Sequence, residues 1–167
     1  MTTPFYAGQT ATAAAINAMQ VQTVYTVGTQ VVDSESPTAL SGLSLAVDRG
    51  VTYRFRAVIP FVCDAAHAAY VFMAGPSASF FGAAIRYLGG SAGSAPESQV
   101  GFQTDIGVNT GCGSTLLSAG QDYVAEIDGV ATFSASGALV VNAAASANVD
   151  TFTTQPGGVL DLWLPLA

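Results

Sequence analysis

Apolar and polar residues alternate with a period of two along much of this chain. Leu43, Leu45 and Val47 alternate, and Asp48-Arg49-Gly50 then supplies a turn. The clearest alternation follows it. Val51, Tyr53, Phe55 and Ala57 face one way, and Thr52, Arg54 and Arg56 face the other, as in a strand with one buried side. Other strand-like runs are Val24–Val27, Val31-Val32, Tyr70–Ala74, Val100–Val108, Tyr123–Ile127, Ala131–Phe133, Leu139–Val141, Thr151–Thr153 and Val159–Leu164. Phe80 to Leu88 reads as two strands or as one bulged strand, and Tyr123–Ile127 and Ala131–Phe133 read as separate runs. Gly, Ser and Pro turns lie between the runs. About ten short strands with no helix among them predict an all-β sandwich or barrel.

The first twenty residues follow a different pattern. Thr10 to Met19 is rich in alanine, the best helix former, and Thr10 or Thr12 can cap a helix there. Ile16 and Met19 then share one face at a spacing of i, i+3. So short a helix is marginal alone in water and needs a surface to lie on. The pattern therefore divides the chain into an arm with a short helix, residues 1–20, and a β-sandwich, residues 21–167. No internal repeat of fixed length is present.

Composition changes the picture of the surface. Half of the 167 residues are apolar and only 9% are charged, against roughly 25% in an average domain. Mean hydropathy is +0.46. Such a chain either enters a membrane or buries much of its surface against partners. The longest uncharged apolar stretch, Ala65 to Ile85, contains His67 and is broken by Gly75-Pro76-Ser77. A second, Gly129 to Val149, is full of Ser, Thr, Asn and Gly. Neither is a convincing membrane span, so burial in an assembly is the better account. The net charge of −7 comes from 4 Arg, no Lys and 11 carboxylates, which argues against nucleic acid as a partner. Met1-Thr2-Thr3-Pro4 lacks a basic region and apolar core, which implies a cytoplasmic start. In a reducing compartment Cys63 and Cys112 are expected as thiols in preference to a disulfide.

Candidate chemistry is sparse. Cys63-Asp64-Ala65-Ala66-His67 gathers a thiol, a carboxylate and the single imidazole. A tetrahedral metal site would want four ligands, and a Cys–His nucleophile pair competes with a plain loop between strands. Gly111-Cys112-Gly113-Ser114 is Gly-flanked but is not a nucleophile elbow,. Asp105, Asp122, Glu126, Asp128 and Asp161 form a carboxylate pool in which Glu126 and Asp128 share a strand face. A glycosidase uses such a pair; a solvated face, or contacts to Arg of a neighbouring subunit, are the commoner explanations. Gly89 to Ser94 lacks the Lys and following helix of a phosphate loop, and no calcium loop is present,. No catalytic, cofactor or metal residue is therefore assigned, and the chain reads as non-enzymatic. The scattered aromatics suit a core or a subunit interface. Phe133 and Trp163 are the expected interface anchors, since buried Trp is a common hot spot.

Three regions of the chain resemble virion proteins of tailed phages. Asp128-Gly129-Val130-Ala131-Thr132-Phe133, Ser136-Gly137-Ala138-Leu139-Val140-Val141 and Gly157-Gly158-Val159-Leu160-Asp161-Leu162-Trp163-Leu164 are similar to the end of a β-sandwich that recurs there as a jelly-roll-like trimer subunit. Leu43 to Ala57, with Gly75-Pro76-Ser77-Ala78 after the next strand, fits the same pattern. Ala7 to Met19 resembles an attachment leader of the form G-Q-x-L-T-A-x-x-L-N, with Ala11 and Ile16 departing from it. The resemblance implies a capsid decoration protein on the exterior of a virion assembled in the host cytoplasm. It would bind the major capsid protein or another virion protein through Tyr6, Ile16 and Met19 and form a homotrimer through its jelly-roll-like domain. The alternatives are a minor tail or fibre protein that binds a receptor or host-surface glycan, and a tailspike-like glycan hydrolase. Membrane and nucleic acid are not expected as partners.

Overall fold

Each run read as strand-like holds a strand, though not always to its full length. A computed structural model describes residues 21–63, 69–89, 97–108, 119–146 and 151–164. Among these are eleven strands: β1 (Val21–Tyr25), β2 (Gln30–Val32), β3 (Thr38–Val47), β4 (Thr52–Cys63), β5 (Ala69–Ala74), β6 (Ala78–Gly89), β7 (Glu97–Gln103), β8 (Asp122–Phe133), β9 (Gly137–Ala145), β10 (Phe152–Thr154) and β11 (Val159–Trp163). There is no helix among the described residues. The arm, with its expected helix, lies outside them.

All strand pairs are antiparallel. A large sheet runs β1-β11-β4-β8-β6-β7, with β10 joined to β4 and β2; a small sheet runs β3-β9-β5. The consecutive strands β3 and β4 sit in different sheets. So do β8 and β9. β3 pairs β9 in the small sheet while β4 pairs β8 in the large one. This is a two-layer ribbon folded over on itself, the arrangement of a jelly-roll-like sandwich.

Three places in the strand pattern are decided by register and close contacts. First, Tyr123–Ile127 and Ala131–Phe133 are one strand, and β8 runs unbroken through Gly129 against β4 from Val62↔Asp122 to Thr52↔Thr132. The reason is steric. A Cβ on Gly129 would lie 2.5 Å from the Phe55 ring and 2.7 Å from the Gly82 carbonyl, so glycine marks a close approach inside a strand. Second, of the two readings of Phe80 to Leu88 the single bulged strand holds: β6 is one strand with a register shift between Ala78 and Phe80, a β-bulge. Third, β7 stops at Gln103, and the Gly107 N–H turns back to donate to the Met73 carbonyl at 3.0 Å.

The core lies between the sheets. The large sheet contributes Tyr53, Phe55, Ile59 and Phe61 from β4, Ile85 and Tyr87 from β6, and Tyr123, Ile127 and Phe133 from β8. The small sheet answers with Leu43, Val71, Met73, Leu139 and Val141. Phe61 is the hub, its ring centroid 5.4 Å from Phe152, 5.7 Å from Tyr123 and 6.3 Å from Tyr87, within the range of favourable aromatic pairs.

Two buried polar side chains tie the layers together. Tyr87 Oη accepts the Val71 N–H at 2.9 Å. Gln103, 1% exposed, serves β5 as a surrogate strand. Its Oε1 accepts the Met73 N–H at 2.9 Å, and its Nε2 donates to the Met73 carbonyl at 2.7 Å and the Asp105 carbonyl at 2.9 Å. The amide supplies both the donor and the acceptor that a neighbouring backbone would have given. Nothing in the local pattern of β7 announces this role, since Gln103 follows Phe102 as an ordinary polar neighbour.

Candidate interaction face

The even-numbered residues of β4, β8 and β6 point away from the core. Their outer face continues across β7 on one side and across β11 and β1 on the other. Register fixes the rows. Arg54 stands opposite Val130 on β8 and Trp163 on β11, and Arg56 opposite Asp128 and Asp161. Arg86 stands opposite Glu126 on β8 and Val100 on β7. Trp163 is paired with Val21 and Asp161 with Thr23.

The charges of this face pair diagonally. Arg54 Nη2 lies 3.0 Å from Asp128 Oδ2, and Arg56 Nη2 lies 3.2 Å from Glu126 Oε1. The guanidinium carbon of Arg54 sits 5.5 Å from the centroid of the Trp163 ring, a cation–π distance. The Thr23 hydroxyl donates to Asp161 Oδ1 at 2.6 Å. The Arg side chains are half-exposed or more, so each ion pair contributes only about 0.2–1 kcal/mol. The carboxylates that sequence reading offered as a catalytic pair thus face arginines of their own chain. Glu126 and Asp128 line a shallow cleft of about 80 Å³ with Arg56, Ala84 and Arg86.

Large apolar side chains share the same surface. Phe102 is 68% exposed, Tyr25 61%, Phe80 58% and Val100 57%, with Val21 and Val130 near two-fifths. Covering one such side chain completely is worth about 1.5–3 kcal/mol. A sheet with one solvated side normally carries polar residues there, and this one mixes salt bridges with aromatic and β-branched groups. Phe80 and Phe102 were visible in the sequence only as scattered aromatics. Phe80-Phe81 has no alternation to say which ring points inward, and the bulge at Ala78/Phe80 decides it.

The residues singled out from the sequence are not brought together. Tyr6, Ile16 and Met19 lie outside the described residues, as do Asp64, His67 and Cys112. Cys63 is buried at the end of β4. Phe133 corrects one expectation. It is 1% exposed and packs 6.0 Å from Tyr53 within the core, so it has no surface to offer a partner. Trp163 stays partly exposed on the outer face beside Val21 and Arg54. A separate depression of about 430 Å³, lined by Gly75, Ser77, Phe80, Asp105 and Ile106 among others, carries a single carboxylate. No group of three or more His, Cys, Asp or Glu among the described residues is placed to hold a metal ion, and no described helix is long and apolar enough to cross a membrane.

No family model and no curated protein matches the chain. Solved structures similar to it include the Eiger TNF of S. frugiperda, at 12% identity over 87% of this chain and 92% of that one, with a TM-score of 0.38. Others are infectious bursal disease virus Gx strain, at 12% identity and TM-score 0.23, and the VP2 subviral particle of infectious bursal disease virus, at 13% and 0.24. Each of these two aligns with 87% of this chain and covers 40% and 41% of the viral chain respectively.

Proposed function

We infer that this chain is a structural protein of a virus particle, a head-surface or decoration protein of a tailed phage, and not an enzyme. In this reading the β domain trimerises and the first twenty residues attach it to the shell through Tyr6, Ile16 and Met19. One observation carries the reading furthest: the outer face of the large sheet leaves six large apolar side chains in water on a chain with only 9% charged residues. Exposed apolar surface of this extent marks a site of association. The jelly-roll-like ribbon and the three sequence regions similar to phage virion proteins point the same way.

The test is location. Gold-labelled protein imaged on purified particles should decorate the capsid lattice in many copies. A few copies confined to the tail would replace this reading with a tail or fibre protein. In the same particles Glu126→Gln and Asp128→Asn should leave any processing of host-surface glycan unchanged; loss of glycan cleavage by a folded, incorporated variant would establish the hydrolase instead.

A further inference from the structure

We propose that copies of this chain meet through the outer face of the large sheet, with the β7 end of one copy seated on the β1 end of the next. The proposal rests on the reading that the β domain self-associates, and it names the surface that does so.

Charge selects the face. Arg54, Arg56 and Arg86 stand there with Glu126, Asp128 and Asp161, so this central block is balanced, and Asp122 adds one carboxylate to the face at the start of β8. The block holds three of the four Arg of the chain, and the whole net charge of −7 falls on the remainder. Two copies repel one another through most of their surface. They do not repel through this block, where cations and carboxylates sit in adjacent rows. Among the described residues Arg86 forms no ion pair in its own chain, which leaves it available to a carboxylate of a second copy.

Apolar residues select the two ends. Val100 and Phe102 project from β7, and Val21 and Tyr25 from β1, with Trp163 beside Val21. Four strands, β6, β8, β4 and β11, separate the two ends, a span of about 24 Å at the usual strand spacing. They are distinct patches, too far apart to belong to one small-molecule site. Among the described residues β1 and β7 are also the two edges of the path that orders this sheet, each with one neighbour. Exposed edges are commonly guarded by Lys, Pro or inward charge. Val21–Tyr25 carries no charge and no proline, and Glu97–Gln103 carries only Glu97. Joining unlike patches is a heterologous contact. It uses each end once per copy and closes into a ring when the rotation allows, as a trimer requires.

The full chain tests this. Phe102→Asp and Tyr25→Asp each place a charge at one end, on side chains exposed enough that thermal melts should stay where they are. By analytical ultracentrifugation, at a concentration where the unsubstituted chain is fully assembled, each variant should sediment as a monomer, with association weakened at least tenfold. An equimolar mixture of the two should form a two-chain species, because the intact β1 end of Phe102→Asp meets the intact β7 end of Tyr25→Asp. If both variants assemble like the unsubstituted chain, the face is wrong although self-association stands. If both are monomeric and the mixture is too, the end-to-end pairing is wrong. A monomeric unsubstituted chain, with the first twenty residues or another protein covering the face, overturns both this proposal and the reading beneath it.

Discussion

The two faces of β4 and β8 obey the same alternation and meet opposite surroundings. On the inner face Tyr53, Phe55, Phe61, Tyr123, Ile127 and Phe133 are sealed between the sheets. On the outer face Arg54, Arg56, Glu126, Asp128 and Val130 stand in the open. The inner face is held by packing, in which a lost methylene leaves a cavity and is felt at once. The outer face is held by little, because screened ion pairs and half-exposed side chains contribute weakly. The same strands therefore give one side that determines the fold and another that is free to be used for contact. Substitutions should separate the two sides by the size of their effect on stability.

The largest loss is expected at the hub. Phe61→Ala removes a ring packed on three aromatic neighbours and should cost about 3–5 kcal/mol in urea unfolding. A loss below about 1 kcal/mol would mean that the layers do not meet as described. Next comes the polar tie between the sheets. Gln103→Leu keeps the bulk but strands the N–H and one carbonyl bond of Met73, and should cost about 2–3 kcal/mol. Faster exchange of the Met73 amide proton should accompany it.

Gly129→Ala comes third. Its Cβ would press on Phe55 and on the Gly82 carbonyl, and overpacking of this kind costs about 1–3 kcal/mol. Adding Phe55→Leu should recover part of the loss, so that the double mutant is more stable than the sum of the singles predicts. Strict additivity would mean that the ring is not what excludes a side chain. The smallest effect belongs to the outer face. A double-mutant cycle on Arg56 and Glu126 should return less than about 1 kcal/mol of coupling for the isolated chain. If the same cycle, measured on the assembled protein, gives a clearly larger value, the pair is buried by association, and the contrast between the faces sharpens.

Particular residues show how much was legible beforehand. Tyr53, Phe55 and Ala57 against Arg54 and Arg56 placed β4 and its buried side correctly, since period-two alternation is a local property that a strand expresses directly. The all-β class followed from the same signal repeated along the chain. Tyr123–Ile127 and Ala131–Phe133 read as separate runs because a glycine interrupts the pattern between them, and only the ring of Phe55 across the strand explains why a glycine sits there,. Phe133 misled because an aromatic on a strand belongs equally well to a core or an interface until its facing layer is known.

The sequence by itself determined the all-β class, the approximate strand positions, the inward side of β4, the shortage of charge and the need to bury apolar surface. All of these are sums or periodicities over neighbouring residues. Only the tertiary structure decided which strands share a sheet and that the carboxylates of β8 answer arginines of β4. It likewise decided that Gln103 stands in for a strand beside β5, and that Tyr25 and Phe102 lie at opposite ends of one open face. Those relations join residues far apart in the chain, 138 positions for Thr23 and Asp161. They depend on register and layer order, which no local pattern carries.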